Sequence, residues 1–112
     1  MSKGAKDKVT ISLDAMGGDN APVNEVAGAV ETVRTCEGIN ITLVGKLSLI
    51  EQELKKHTYD SSRINIHNAE DVIGMDESPT EAILKKPDSS LVSGLKLCKN
   101  GKADGFISAG NT

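Results

Sequence analysis

Four short runs of β-branched and aliphatic residues, separated by stretches of helical periodicity, limit what this chain can become. Val9-Thr10-Ile11-Ser12-Leu13-Asp14 alternates with period two and reads as a strand. After a turn-rich loop, Val23, Val26, Ala27, Val30 and Val33 recur at spacings of three and four. They predict the apolar face of a helix to about Thr35, with Asn20 as its N-cap and Pro22 in its first turn. Gly38 ends it, and Ile39 to Val44 is a second strand closed by Gly45. Leu47, Ile50 and Leu54 predict a second helix, with Glu51 and Lys55 paired on its wet side. Ser61 and Ser62 make a loop before a third short strand, Ile64-Asn65-Ile66-His67.

Residues 70–81 carry acids and a proline without periodicity and read as a long loop or lid, with a short helix from about Thr80 to Lys86 broken by Pro87. Ser89 or Ser90 caps the next helix, whose inner face is Leu91, Val92, Leu95 and Cys98, and Asn100-Gly101 supplies its stop. Asp104 to Ser108 is a fourth strand. Strands alternating with helices imply right-handed crossovers and a largely parallel sheet, so the expected fold is doubly wound α/β. Residues 1–8 read as a flexible N-terminus, and 9–112 as one α/β unit. The last residues leave a strand and begin what should be another helix start, so the expectation is an N-terminal part of a single larger catalytic domain, truncated after the fourth strand.

Composition removes several classes of function. Of 112 residues, 13 are basic and 16 acidic, and only Tyr59 and Phe106 are aromatic. Without a basic stripe or aromatic platforms, a nucleic-acid binder is not expected. The core must be aliphatic. Cys36 and Cys98 fit neither a disulfide framework nor a zinc spacing, and read as reduced thiols of an intracellular protein. No stretch approaches the roughly 18 apolar residues of a membrane span, and no secretory or lipidation signal opens the chain.

In open parallel sheets, ligands bind beyond the carboxyl ends of the strands. Two loops rich in small residues leave strands there, Asp14 to Asn20 and Ser108 to Thr112. Each precedes a helix N-terminus, whose free amides and partial positive charge suit a phosphate. The alternative is that both are only tight turns. The dinucleotide and Walker glycine patterns are missing. Asp14 and Asp19 would repel a dianion; they could instead orient amides, balance a lysine, or hold a divalent cation with water. Structural hydrogen bonding is the default for Asp14. Lys85 and Lys86, just before Ser89 and Ser90, suit a second anionic group or simply solvent. His67 closes the third strand at the same edge, as a structural or proton-handling residue. His57 ends a helix and complements its dipole. With two His and no clustered Cys, a tightly bound zinc is not expected.

Asp14-Ala15-Met16-Gly17-Gly18-Asp19-Asn20-Ala21-Pro22 resembles the N-terminal signature of the bacterial phosphate acyltransferases of phospholipid synthesis, the PlsX family. In the family's order follow His67-Asn68-Ala69-Glu70-Asp71-Val72-Ile73, Asp76-Glu77-Ser78-Pro79 with Lys86 and Ser89-Ser90, and Ser108-Ala109-Gly110-Asn111-Thr112. The resemblance runs from about Val9 to Thr112. It implies a three-layer α/β/α arrangement similar to isopropylmalate dehydrogenases and phosphotransacetylases, in a longer chain than this one. It implies an enzyme that converts acyl–acyl carrier protein and orthophosphate into acyl phosphate, without a cofactor, as the first step toward phosphatidic acid. It further implies a cytoplasmic homodimer, peripheral at the inner face of the membrane, with a glycerol-3-phosphate acyltransferase acting downstream.

On that chemistry, Gly17, Gly18, Asn20, Asn111 and Thr112 bind phosphate and the oxyanion, together with Asp14, Ser89, Ser90, Ser108 and Gly110 as substrate-binding positions. Lys86 compensates charge, and His67 or Asp19 manages protons or orientation. Pro87 stands where the family often has a basic residue, which sets Lys86 apart from the usual pattern. An acyl-serine at Ser108 or Ser89 is a weaker alternative, because no partnering base is visible. The rival readings are a phosphate-site enzyme of the isopropylmalate dehydrogenase type and an inactive structural fragment. Residues 1–112 alone are expected to be inactive.

Overall fold

A computed structural model describes residues 8–69 and 89–108. The expected Thr80 to Lys86 helix, the 70–81 loop, Lys85, Lys86, Gly110, Asn111 and Thr112 lie outside those residues. The described elements are β1 (Val9–Asp14), α1 (Val23–Thr35), β2 (Ile39–Gly45), α2 (Leu47–Leu54), a 3-10 turn (Ser61–Arg63), β3 (Ile64–Asn68), α3 (Ser90–Lys99) and β4 (Gly105–Ser108). All four strands are parallel, in the order β3-β2-β1-β4. The chain therefore winds outward from β1 in one direction through β2 and β3, then crosses to the other side for β4. That is the doubly wound pattern.

Period-two alternation distributes the helices over two faces. Ile11 and Leu13 border a cavity of about 260 Å³ with Gly28, Ala29 and Thr32 of α1. Ser12, between them in sequence, turns to the opposite face, where its hydroxyl bonds the Gly94 carbonyl of α3 at 3.1 Å. The layers are thus α1 with α2, the sheet, and α3. The core lies on the α1 side, where Val26, Val30 and Val33 pack with Leu43, Ile50 and Leu54, all buried. Burying one such aliphatic side chain stabilises by about 1.5–3 kcal/mol.

The helix faces differ in detail from the periodicity. Val23 and Ala27 are exposed, while Ala29 is buried beside Val26 and Val30, so α1 is rotated relative to its expected stripe. In this phase Ala29 joins Val26, Val30 and Val33 in the buried cluster with Leu43 and Ile50. Asn20 does not cap α1. Pro22 holds the N-cap position, and the Asn20 carbonyl accepts the Val23 amide at 2.8 Å. In α3, Leu95 is exposed, and the inward position belongs to Gly94, where an added Cβ would overlap the Phe106 ring. On α2 the ion pair is Lys56–Glu53 rather than Glu51 with Lys55. The last turn tightens, with the Lys56 amide bonding the Glu53 carbonyl, and this brings positions three apart together.

Two glycines hold positive φ where helices stop, Gly38 at 86° and Gly101 at 76°, a region that costs other residues strain. Between α1 and β2 the Arg63 guanidinium bonds the carbonyls of Val33, Cys36 and Ile39, each at 2.6 Å. It satisfies the Val33 and Cys36 carbonyls that the helix end leaves without intrahelical partners, and ties them to the first residue of β2.

Candidate active site at the β1/β4 crevice

The strand order places its switch point between β1, which leads away to β2, and β4, which arrives from the far side. Open α/β sheets bind ligands at that point. The register fixes what stands there. Ser108 is paired with Asp14, Asp14 with Val44, and Val44 with His67, one row across the carboxyl edge. Equal register in parallel strands gives one face, so Ser108 and Asp14 meet: the Ser108 hydroxyl donates to Asp14 Oδ2 at 3.0 Å. Asp14 is 4% exposed, and its Oδ1 accepts the Met16 amide at 3.0 Å. The strand end and the first residue pair of the loop are thereby fixed by one carboxylate.

The loop from Ala15 to Ala21 leaves the carboxyl end of β1 and leads into α1. The Ala15 amide still bonds β2, through the Val44 carbonyl at 2.9 Å. Gly17 is buried, Gly18 half-buried, and Asp19 and Asn20 are exposed. The Gly18 amide is not open to a ligand here, because it donates to Glu25 Oε2 at 3.0 Å. On the other side of the sheet α3 begins at the same edge. Ser89 and Ser90 are both buried, and the Ser89 hydroxyl oxygen accepts the Val92 amide at 3.2 Å as the N-cap. Two helix N-termini, those of α1 and α3, therefore open toward the edge that carries Asp14 and Ser108.

His67 shares the row but not the crevice. It is exposed and lies two strands from Asp14, about 10 Å at ordinary strand spacing. Its neighbour Asn68 has a clear structural task, accepting the Leu47 amide at 3.0 Å and so serving the start of α2. Of the expected site residues, the structure brings together Asp14, Ser108, Gly17 and Gly18, sets Ser89 and Ser90 at the same edge, and leaves His67 apart. Among the described residues no three His, Cys, Asp or Glu side chains gather as a metal site, and both cysteines are free. No described helix is long and apolar enough to cross a membrane. An open groove of about 620 Å³ lined by Glu51, Lys55, His57 and Tyr59 lies by the C-terminal end of α2 and gathers none of the candidate residues.

Sequence reasoning missed Glu25. An acidic residue in the first helical turn was visible, but the expected N-cap, Asn20, lies five residues before it, so the spacing did not point to a capping role.

The fold and the crevice define a doubly wound α/β protein whose β1 loop and β4 exit meet at the switch point. The chain belongs to a family described as fatty acid synthesis protein, whose model matches residues 9–112. It is 49% identical over 102 residues to a phosphate acyltransferase of Clostridium botulinum (strain ATCC 19397 / Type A) and 50% to one of Syntrophomonas wolfei. It is 46% identical to one of Fusobacterium nucleatum over the same length. Each alignment covers 91% of this chain and 30% to 32% of the relative, so the chain spans about a third of the length of the curated relatives it matches.

Proposed function

We propose that the whole protein carrying this sequence transfers an acyl group from acyl–acyl carrier protein to orthophosphate. An orthophosphate oxygen attacks the thioester carbonyl carbon, the C–S bond breaks, and the thiolate leaves as free carrier protein after taking a proton. Acyl phosphate is the product. The observation that carries the reading is the Ser108–Asp14 contact, which joins the end of β4 to the end of β1, where the first small-residue loop begins. The relatives' name supports phosphate as the acyl acceptor. The family match also favours this reading over a dehydrogenase.

Orthophosphate attacks directly, so no enzyme nucleophile is needed. What the site must supply is orientation of one oxyanion and stabilisation of a second. The Gly17 amide and the Asn20 side chain serve the first task, together with Ser90, Gly110, Asn111 and Thr112. Lys86 offsets charge, and Asp19 orients the loop. His67, at the far end of the row, handles protons only through a ligand that spans the edge. We place the enzyme in the cytoplasm, as a homodimer that meets the membrane surface. Its acyl phosphate would pass to a glycerol-3-phosphate acyltransferase.

The test is orthophosphate-dependent consumption of acyl–acyl carrier protein by the whole protein, with acyl phosphate trapped by hydroxylamine. Hydroxamate should form only when orthophosphate is present. A folded sample that yields none overturns the assignment.

A further inference from the structure

Glu25 has an arrangement that helix capping alone does not explain. It stands three residues after Pro22, where a glutamate ordinarily reaches back to the N-cap amide. Pro22 has no amide hydrogen to give. Glu25 reaches past it, and Oε2 takes the Gly18 amide seven residues earlier. The residue is 8% exposed, and Oε1 is buried without a hydrogen-bond partner. A buried carboxylate with an unused oxygen costs stability, and more than a neutral amide in the same place would. The fit is mutual, since a Cβ on Gly18 would overlap Oε2. A charged acceptor also makes the bond stronger than a neutral one would.

We propose that Glu25 is a positioning residue for the oxyanion substrate. By holding the Gly18 amide against α1, it fixes the loop backbone that borders the β1/β4 crevice. It touches no reacting atom. Gly18 then acts as the loop's anchor, and the phosphate donors are the loop's other groups. The inference rests on the phosphate-transfer reading above.

The experiment uses the whole protein with Glu25→Ala, Glu25→Gln, Gly18→Ala and the Gly18→Ala/Glu25→Ala pair. Glu25→Ala should raise the KM for orthophosphate about tenfold or more, the size expected from losing one charge-assisted bond. The KM for acyl–acyl carrier protein should stay within about twofold. Glu25→Gln keeps an acceptor for the Gly18 amide and should recover most of the orthophosphate KM. In the double variant the overlap is relieved, so Tm should return to that of Glu25→Ala while the orthophosphate KM stays high. A merely structural Glu25 predicts the reverse: the two KM values rise together and recover with Tm. That result, or an unchanged orthophosphate KM in Glu25→Ala, overturns the proposal. If Glu25→Ala does not fold, a Glu25→Gln variant whose Gly18 amide resonance has moved to a solvent-exposed value while orthophosphate KM is unchanged overturns it. If the wild-type protein forms no acyl phosphate, orthophosphate titrations read the same claim. Weaker binding by Glu25→Ala then sustains the positioning role without the transferase reading, and equal or undetectable binding in both sinks it.

Discussion

The Ser108 hydroxyl donates to Asp14 Oδ2 at 3.0 Å, joining residues 94 apart in sequence at the mouth of the crevice. Asp14 is buried and also accepts the Met16 amide, so the β4 end and the β1 loop share one acceptor. Ser108→Ala removes a donor from a buried carboxylate and should cost about 1–3 kcal/mol in urea unfolding of the whole protein. Asp14→Ala loses both bonds and should cost more. Because the two side chains meet, the double variant should fall short of the sum. Additive losses would mean that the contact does not form in solution.

Arg63 spans the turn between α1 and β2, with three carbonyls within 2.6 Å of its guanidinium nitrogens. Lysine keeps the charge near the helix C-terminus but not the planar fork. Arg63→Lys should therefore lose about 1–3 kcal/mol, close to the loss in Arg63→Ala. A lysine variant as stable as wild type would show that charge, not geometry, matters there.

Much of this was legible beforehand, for identifiable reasons. Strand runs and helix stripes are local, so β1, β2 and α2 fall at or within a residue of where Val9, Ile39 and Leu47 suggest. Gly38 and Gly101 were readable because few residues tolerate their positive φ. The rotational phase of α1 was not. Spacing shows that Val23, Val26 and Val30 share a stripe, but tertiary packing in the cluster with Leu43 and Ile50 decides that Ala29 is inside and Val23 is out. The site divides the same way. Small-residue loops marked the Gly17 and Ser108 region, whereas the partners of its polar atoms are tertiary facts. Glu25 bonds seven residues back and Ser108 bonds 94 back, and no local pattern fixes either.

Two helical glycines should respond oppositely to alanine. Gly94 lies against Phe106, and a Cβ there meets the ring. Gly94→Ala should cost about 1–3 kcal/mol by overpacking. Gly28 has nothing within 4 Å of a built Cβ, so Gly28→Ala should gain about 0.5–1 kcal/mol through helix propensity. Thermal unfolding of both variants checks the contrast. Destabilisation by Gly28→Ala would mean that the space beside α1 is filled in solution.

Asp60 titrates low because the Ser62 hydroxyl, and then the Ser62 amide, bond its carboxylate. A folded-state pKa below the ordinary 3.8 means that the group stabilises the fold above that value. The contribution disappears as pH falls through the lowered pKa. Carboxyl NMR titration should place Asp60 below 3.8, and Ser62→Ala should move it back up. No upward movement would assign the shift to another group.

Ser89 separates a helix cap from a covalent nucleophile. Its hydroxyl oxygen accepts the Val92 amide at 3.2 Å, so the side chain is already committed to the start of α3. Replacing an N-cap serine with alanine costs about 1 kcal/mol, and with glycine only a few tenths. Ser89→Ala should therefore lower Tm while Ser89→Gly barely does. Both remove the hydroxyl. If phosphate attacks directly, Ser89→Gly should keep acyl transfer within about threefold of wild type. An acyl-serine route would instead lose turnover in both variants, whatever their stability. Single-turnover assays with a labelled acyl donor decide between them, because only the covalent route leaves label on the protein before orthophosphate is added.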